Sequence, residues 1–191
     1  MRRPAAVEVL AAIDRVLRKA RRRWYVFGAQ AVLAYGEPRL TADVDVLVDA
    51  AGAPAAALLG DFARAGIALR FASSSKHLRA ARLLPLVHAA TATPVDVVLA
   101  SSDLQREFLA RARRIDLGGV KVPVVSPEDL VVQKVIAGRR KDLEDVRGIL
   151  ARQRSRLDVA RARELVAEIA AATNDPRLTR RLERLLAASP R

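Results

Sequence analysis

The chain has 191 residues, which is enough for one sizeable domain with a small appendage. It has no cysteine, which excludes disulfides and thiolate metal sites, and no apolar run approaches the ~18–20 residues that a membrane span needs. The formal net charge is +13, and only 4% of the residues are aromatic, so the core must be built from Ala, Val and Leu. The N-terminus does not resemble a secretory signal, and we expect a cytoplasmic location.

The first part of the chain alternates predicted helices and strands. Residues 4–23 have apolar side chains at helical spacing, broken by acidic residues, and end in a basic run. Residues 73–75 are three serines that interrupt the pattern. The elements predicted between these segments are a strand at 24–27, a helix at 29–35, a strand at 43–48, a helix at 53–65 and a strand at 67–71.

The second part of the chain begins with two predicted hairpins and continues with helices. Apolar runs at 83–89 and 95–99 are separated by Thr-Ala-Thr-Pro, and a helix is predicted at 101–114. Gly118-Gly119 predicts a tight turn between short strands at 115–117 and 120–122. Ser126-Pro127-Glu128-Asp129 is a strong helix start. The helices predicted from there are 127–137, 140–153, 157–172 and 176–188.

These elements predict an α/β (α+β) fold. A mixed β-sheet would carry flanking helices and be followed by a C-terminal helical bundle. The clearest change in composition falls near residue 151, after which every predicted element is helical. The sequence therefore predicts a main domain at 1–150 and a helical extension at 151–191.

Two carboxylates stand two residues apart in a strand that is otherwise apolar and β-branched. Side chains in a strand alternate faces, so Asp43 and Asp45 share one face, while the valines at 44, 46 and 48 form the other. Carboxylates about 7 Å apart on one pleat repel each other, and a bound cation removes that repulsion. Mg²⁺ is commonly held by one or two protein carboxylates together with substrate phosphates.

Just upstream, Gly28 ends the strand at 24–27 and opens the helix at 29–35. Glycine lets backbone N–H groups approach an anion, and a helix N-terminus favours a phosphate. The order is strand, glycine turn, helix, Arg-Leu-Thr loop and Asp-x-Asp strand. This order suits a metal-bound nucleoside triphosphate.

The stretch resembles the nucleotidyltransferase fold of the DNA polymerase β superfamily. It is most similar to the small AbiEii-type and MNT-type bacterial nucleotidyltransferases, which carry a G-[GS]…G-x-x-R-x-T-x-D-x-D pattern. The matching residues are Gly28-Ala29, Gly36, Arg39, Thr41, Asp43 and Asp45. Ala29 departs from the pattern, because alanine lacks a hydroxyl and disfavours positive φ. The segment 126–150 also resembles the family, so the likeness extends over residues 24–150.

The resemblance implies that Asp43, Asp45 and Asp96 hold two Mg²⁺ ions and that the substrate is a nucleoside triphosphate. Asp96 would bind the catalytic metal and take the proton from an acceptor hydroxyl. Without the resemblance, the first two aspartates would be read as a solvated strand face. Asp96 would be a strand-edge carboxylate, although a charge among the valines at 95, 97 and 98 is costly unless it is paired.

The resemblance also implies nucleotide contacts near the glycine turn, at Gly28, Ala29, Arg39 and Thr41. Arg39 would bind a phosphate, or alternatively form a structural salt bridge to Glu37 or an aspartate. Thr41 is expected to orient the backbone with its hydroxyl rather than to bind the ligand directly.

Further contacts are implied in the segment 126–150. Lys134 lies on an apolar helix, where it either snorkels or points at an anion, and the family places a lysine near the nucleotide there. Lys141 and Asp145 belong to a Lys-Asp-x-x-Asp signature of the family, but at i,i+4 they could simply pair. His77 and His88 lack metal-ligand spacing and are expected to be structural or exposed.

We therefore expect a magnesium-dependent nucleotidyltransferase of toxin type that acts on RNA, such as tRNA, or on a protein, with a cognate toxin or antitoxin as partner. The charge of +13 favours RNA, unless the abundance of arginine is purely compositional. One alternative is an antibiotic-modifying enzyme, which would need an acidic pocket for a cationic drug. Another is a catalytically silent nucleotide-binding or antitoxin module, which Ala29 keeps open although all three aspartates argue against it.

Overall fold

The structure is a computed structural model, and it describes residues 4–49, 55–71, 82–153 and 155–188. The contacts divide the chain into two compact units. The sheet unit contains the described residues up to 30 and those from 40 to 125, and the helical unit contains residues 31–39 and those from 126 onward. The boundary predicted near residue 151 falls inside the helical unit. No described helix combines the length and the apolarity that crossing a membrane requires.

The sheet unit is built on one mixed seven-stranded sheet, which confirms the predicted fold class. The strand order is β3-β4-β5-β2-β1-β7-β6, in which β2 runs parallel to β5 and β1 parallel to β7. Its elements are α1 (Ala5–Lys19), β1 (Trp24–Phe27), the start of α2 (Gly28–Tyr35), β2 (Val44–Val48), α3 (Ala55–Arg64), β3 (Ile67–Leu69), β4 (Leu83–His88), β5 (Thr93–Leu99), α4 (Asp103–Arg111), β6 (Arg113–Asp116) and β7 (Lys121–Val124). Both predicted hairpins are confirmed, since β4 pairs antiparallel with β5 and β6 with β7.

The amphipathic helix α1 covers the sheet with its apolar side. It contacts β2, β5 and β7 and buries Leu10, Ile13 and Leu17 completely or nearly so. The helix ends at Lys19 rather than at residue 23, because Arg21 adopts a left-handed φ of 51° that no helix accommodates. The chain then turns into β1, where Trp24 is already buried.

The helical unit contains the rest of α2, then α5 (Pro127–Ala137), α6 (Arg140–Gln153), α7 (Val159–Ala172) and α8 (Arg177–Ala188). The start of α5 is confirmed, because the Ser126 hydroxyl accepts a hydrogen bond of 3.2 Å from the Asp129 N–H. This helix ends at Gly138 in the left-handed conformation that glycine favours. Asp158 caps α7, which therefore begins at residue 159 rather than 157.

Candidate active site

A row of paired residues crosses the sheet and brings two of the predicted aspartates side by side. Asp45 on β2 is the register partner of Asp96 on the parallel strand β5 and of Phe27 on β1. Asp96 is in turn opposite Pro85 on β4, whose carbonyl accepts a 2.9 Å hydrogen bond from the Arg70 N–H. We call Arg70, Pro85, Asp96, Asp45 and Phe27 the carboxylate row. Register partners project from the same face of neighbouring strands about 4.8 Å apart, so the two carboxylates are neighbours.

Asp43 lies immediately before β2, which begins at Val44 rather than at residue 43. Its carboxylate accepts a hydrogen bond from the Thr41 hydroxyl, so Thr41 orients a side chain rather than the backbone. The backbone carbonyl of Asp43 accepts a 3.4 Å hydrogen bond from the buried amide of Gln30. Gln30 was not predicted as a site residue, and its only sequence signal is a polar residue on an apolar helix.

Gly28 is required by the geometry of Asp45. Its φ is +64°, and a Cβ added to it would overlap Oδ2 of Asp45 and stand 2.8 Å from Cγ. The Asp45 carboxylate therefore lies directly against the first residue of α2, where any side chain would displace it. Ala29 is buried and lies outside the left-handed region, so the conformational cost expected for alanine at this position does not arise.

Asp96 forms an ion pair with Arg70, a residue that was not predicted to belong to the site. A terminal nitrogen of Arg70, Nη2, forms an ion pair with Oδ1 of Asp96, and each side chain is about one quarter exposed, at 28% and 27%. Arg70 follows directly after the short strand β3. No local pattern could have connected it to an aspartate 26 residues later.

The donor set of this region suits a hard divalent cation. Asp45 and Asp96 present adjacent carboxylates from two parallel strands, and Gly28 leaves room beside one of them. Among the described residues, no three acidic or histidine side chains are grouped as metal ligands. Two of the three predicted ligands have partners within the protein, since Asp96 pairs with Arg70 and Asp43 accepts a hydrogen bond from Thr41. The role of the three aspartates as metal ligands stays a prediction.

The helical unit contains a second group of charges, which we call the buried ion cluster. Lys134 Nζ lies 2.7 Å from Asp145 Oδ2 and 3.0 Å from Asp142 Oδ1. Arg39 binds Asp145 through two nitrogens, at 2.9 and 3.3 Å, and Arg139 binds Asp142 at 2.6 and 3.3 Å. Lys134, Asp142 and Asp145 are only 5%, 1% and 4% exposed. Every carboxylate in the cluster is therefore bonded to two cations.

The cluster accounts for several residues that the resemblance assigns to the nucleotide. Arg39 forms the alternative predicted for it, a salt bridge to an aspartate. Lys134 is held between two carboxylates, and its contact with a phosphate stays a prediction. Lys141 is exposed on α6. Among the described residues, Asp145 forms its ion pairs with Arg39 and Lys134 instead of with Lys141, its i,i+4 neighbour.

The pKa of Asp142 lies below its ordinary value. Burial acts to raise the pKa of this carboxyl, but hydrogen bonds and charge from Arg139 and Lys134 lower it more strongly. The group is therefore ionised in the folded protein at neutral pH. This state fits a structural role, because a buried carboxylate bonded to two cations is fully compensated.

The two histidines have separate outcomes. His88 is buried in β4, and its Nδ1 lies 2.9 Å from the Thr91 hydroxyl, which fits the structural role expected for it. His77 lies outside the described residues.

The sheet unit also has a basic cavity beside α1 and α3. Its volume is about 350 Å³, and its charged lining consists of Arg15, Lys19, Arg64 and Asp61. Asp61 pairs with Arg64. Arg15 and Lys19 are exposed one turn apart on α1, where like charges repel. A bound anion would relieve that repulsion.

Several solved structures resemble this fold over most of the chain. The antibiotic-resistance factor ANT(2'')-Ia matches with a TM-score of 0.62 at 12% identity, over 88% of this chain and 93% of its own. An antigenic nucleotidyltransferase-like protein from Paracoccidioides brasiliensis matches with a TM-score of 0.51 at 18% identity, over 95% and 94%. The lincosamide antibiotic adenylyltransferase LnuA, solved with lincomycin bound, matches with a TM-score of 0.50 at 14% identity, over 78% and 98%. At these identities the likeness concerns the fold.

The sequence comparison with families is more specific. None of the curated proteins compared with the chain matches it. Residues 7–185 match a family described as "Nucleotidyltransferase of unknown function (DUF6036)". This match extends over the carboxylate row, the glycine turn and the buried ion cluster. The chain therefore belongs to this nucleotidyltransferase family.

Proposed function

We propose that the protein transfers a nucleoside monophosphate from a nucleoside triphosphate to an acceptor hydroxyl, with Mg²⁺ held by Asp43, Asp45 and Asp96. The observation that carries the proposal is the pairing of Asp45 with Asp96 in adjacent parallel strands, next to the glycine that opens α2. Two neighbouring carboxylates attract a divalent cation, and a helix start next to them favours a phosphate.

Several residues of the sheet unit have distinct roles in the proposed reaction. Bound Mg²⁺ would polarise the α-phosphate and neutralise the charge that develops on the leaving pyrophosphate. Asp45 and Asp96 supply the negative charge that holds the cation, and the Thr41 hydroxyl fixes the orientation of the Asp43 carboxylate. Asp96 is the candidate to accept the proton of the acceptor hydroxyl, because its carboxylate is partly exposed, at 27%.

We infer that the acceptor is RNA, with tRNA as the first candidate. The net charge of +13 and the basic cavity lined by Arg15, Lys19 and Arg64 both favour a polyanion. The resemblance to AbiEii-type and MNT-type enzymes adds a toxin–antitoxin role, with a cognate protein partner and a cytoplasmic location as further predictions. A protein acceptor is the other possibility within this class.

A small-molecule acceptor is the second candidate function. The observation that favours it is the likeness of the fold to ANT(2'')-Ia, an antibiotic-resistance factor, and to LnuA, a lincosamide antibiotic adenylyltransferase. A cationic drug would need an acidic pocket, whereas the cavity beside α1 and α3 is lined by three basic side chains and one acidic one. This charge favours RNA over a cationic drug.

The test is transfer of label from each of the four α-³²P-labelled nucleoside triphosphates. The acceptors are total tRNA, a protein extract, an aminoglycoside and a lincosamide, each with Mg²⁺ and with EDTA. We expect Mg²⁺-dependent label in tRNA with wild-type protein and none with Asp45→Asn. Asp103→Asn is the matched control, because Asp103 is an exposed aspartate on α4.

Each alternative has its own outcome. Label in the drug would move the function to the small-molecule class, and label in protein would move it to protein modification. No transfer to any acceptor, with nucleotide binding retained, would identify a silent nucleotide-binding module. Transfer that is equal with EDTA or in Asp45→Asn would contradict the proposed role of the carboxylate row.

A further inference from the structure

Arg70 is the one charged member of the carboxylate row to which the proposed chemistry gives no task. It follows β3, and its backbone still bonds to Pro85 on β4. From this position its guanidinium passes over the neighbouring strand and pairs with Asp96 on β5. Two strand spacings amount to about 10 Å, which a long arginine side chain spans only if the residue between is compact. Pro85, with its small fixed ring, is that residue.

The pairing changes the electrostatics of the two aspartates. Asp96 and Asp45 are register partners, and two carboxylates directly opposite each other repel. The Arg70 charge lies beside Asp96 and offsets this repulsion without any bound cation. Arg70 thus stands where a metal ion would otherwise supply positive charge.

The contact is also of a kind that can be exchanged. Only Nη2 of Arg70 bonds to Asp96, and Nε is buried with no hydrogen-bond partner among the described residues. By contrast, Arg39 donates hydrogen bonds to Asp145 from two nitrogens in the buried ion cluster. A contact through one guanidinium nitrogen to an aspartate that is 27% exposed is held less firmly than a bidentate contact to an aspartate that is 4% exposed.

We propose that Arg70 is an internal counter-ion of the metal site, which competes with the divalent cation for Asp96. This inference rests on the proposed function in one respect, namely that a divalent cation binds at Asp45 and Asp96. When the cation takes Asp96, the guanidinium loses its partner. The triphosphate of the substrate offers it a new one, because arginine binds phosphate oxygens well. Arg70 therefore makes cation binding weak alone and stronger with nucleotide, which is a coupling between the two ligands.

The test is the dissociation constant of Mn²⁺, measured by electron paramagnetic resonance with and without a non-hydrolysable nucleotide. The proteins are wild type, Arg70→Gln, Arg70→Lys and Arg106→Gln. Arg106 is the matched control, because its ion pair with Asp103 is exposed on α4 and lies outside the row. In Arg70→Gln we expect Mn²⁺ alone to bind at least about tenfold more tightly, since a neighbouring positive charge is gone. The enhancement by nucleotide should shrink by a similar factor, while Arg70→Lys and Arg106→Gln stay near wild type.

A second measurement needs no metal. Thermal unfolding in EDTA of wild type, Arg70→Gln, Asp96→Asn and the double variant forms a double-mutant cycle. We expect Arg70→Gln to lower the Tm in the presence of Asp96 and to have little effect in Asp96→Asn. Additive changes would overturn the proposal, whatever the metal does.

The outcomes separate this inference from the proposed function. If wild type and Arg70→Gln bind Mn²⁺ equally well, Arg70 does not compete, and the metal site stands without it. If neither binds Mn²⁺ with or without nucleotide, the metal site fails and the counter-ion role fails with it. If Arg70→Gln does not fold, Arg70→Lys takes its place in both measurements. The proposal is supported if Arg70→Lys binds Mn²⁺ as wild type does and if its effect on the Tm in EDTA is coupled to that of Asp96→Asn. Additive effects on the Tm overturn it.

Discussion

The protein has two groups of paired carboxylates, one in each unit, and they differ in how completely they are enclosed. In the carboxylate row, the ion-pair partner of Asp96 among the described residues is Arg70, and both side chains are about one quarter exposed. In the buried ion cluster, Asp142 and Asp145 each bond to two cations and are almost fully buried. The same residue types therefore stand in an exchangeable arrangement in one unit and in a closed one in the other.

This difference indicates which group is suited to chemistry and which to stability. A buried charge that loses its partner is left uncompensated, which costs free energy. This cost keeps the charges of the enclosed cluster in place. A partly exposed pair is worth little on its own and can give up its partner to a ligand. Residue type alone does not distinguish the two, and the degree of enclosure does.

Asp45→Asn should have the largest effect on activity and almost none on stability. We expect nucleotidyl transfer to fall by at least about 10³-fold, because the cation loses a charged ligand. The free energy of unfolding should change by less than about 0.5 kcal/mol or rise slightly, because repulsion with Asp96 is removed. Label transfer and urea unfolding measure the two effects. Wild-type transfer by Asp45→Asn would remove the metal site from this strand.

Unlike Asp45→Asn, Lys134→Met should mainly lower stability. Removal of the ammonium leaves the buried Asp142 and Asp145 with one cation each instead of two, which should cost about 1.5–3 kcal/mol. Lys141→Met is the matched control on the next helix and should change stability by less than about 0.5 kcal/mol. Urea denaturation compares the pair. Equal stabilities would show that the cluster does not stabilise the helical unit.

Gly28→Ala should lower both nucleotidyl transfer and stability. Gly66→Ala separates the effect of backbone strain from that of the contact with Asp45. Gly28 and Gly66 both have positive φ, but only at Gly28 would a Cβ meet Asp45, while Gly66 faces open space. The shared conformational strain should cost about 1–2 kcal/mol at either position. Transfer should fall strongly only in Gly28→Ala, because the Asp45 carboxylate must move. Loss of transfer in Gly66→Ala as well would show that strain, and not the contact with Asp45, limits the reaction.

The lowered pKa of Asp142 predicts a small pH effect on stability. An aspartate in the unfolded chain has a pKa of about 3.9, and the folded value lies below it, so the unfolded state binds the proton more readily. The stabilisation is therefore fully present above about pH 4 and is lost as the pH falls through the folded pKa. Asp175 and Glu183 also have lowered pKa values and contribute in the same direction.

The comparison that isolates Asp142 is between wild type and Asp142→Asn, with unfolding followed from neutral pH to about pH 3, below the pKa of an unfolded aspartate. We expect the variant to be less stable at neutral pH and its decline in acid to be shallower. Parallel curves for the two proteins would show that Asp142 does not contribute to the acid sensitivity of the helical unit.

Local rules predicted the parts of the site that depend on neighbours in sequence. The strand-to-helix turn marked Gly28, whereas the shared face that period-two alternation gave to Asp43 and Asp45 stays a prediction, because β2 begins only at Val44. The partnership of Asp45 with Asp96 required knowing that β5 joins β2 in parallel, which is a property of the whole sheet. The contact of Arg70 with Asp96 spans two strands, so no window of sequence contains it.

The same limit explains the helical unit. The i,i+4 rule offered Lys141 as the partner of Asp145, because it considers one helix at a time. The packing of α5 against α6 brings Lys134 to that carboxylate instead, and Arg39 arrives from the loop after α2. Helix starts with a capping serine and proline were predicted well, as at Ser126, since those signals are local.

The most direct test of the central claim is a crystal structure with Mn²⁺ and a non-hydrolysable nucleoside triphosphate, with Mn²⁺ located by its anomalous signal. We expect an anomalous Mn²⁺ peak within about 2–2.3 Å of carboxylate oxygens of Asp45 and Asp96, with Arg70 displaced from Asp96. A nucleotide bound with no peak at these carboxylates, and with Arg70 still paired to Asp96, would contradict it.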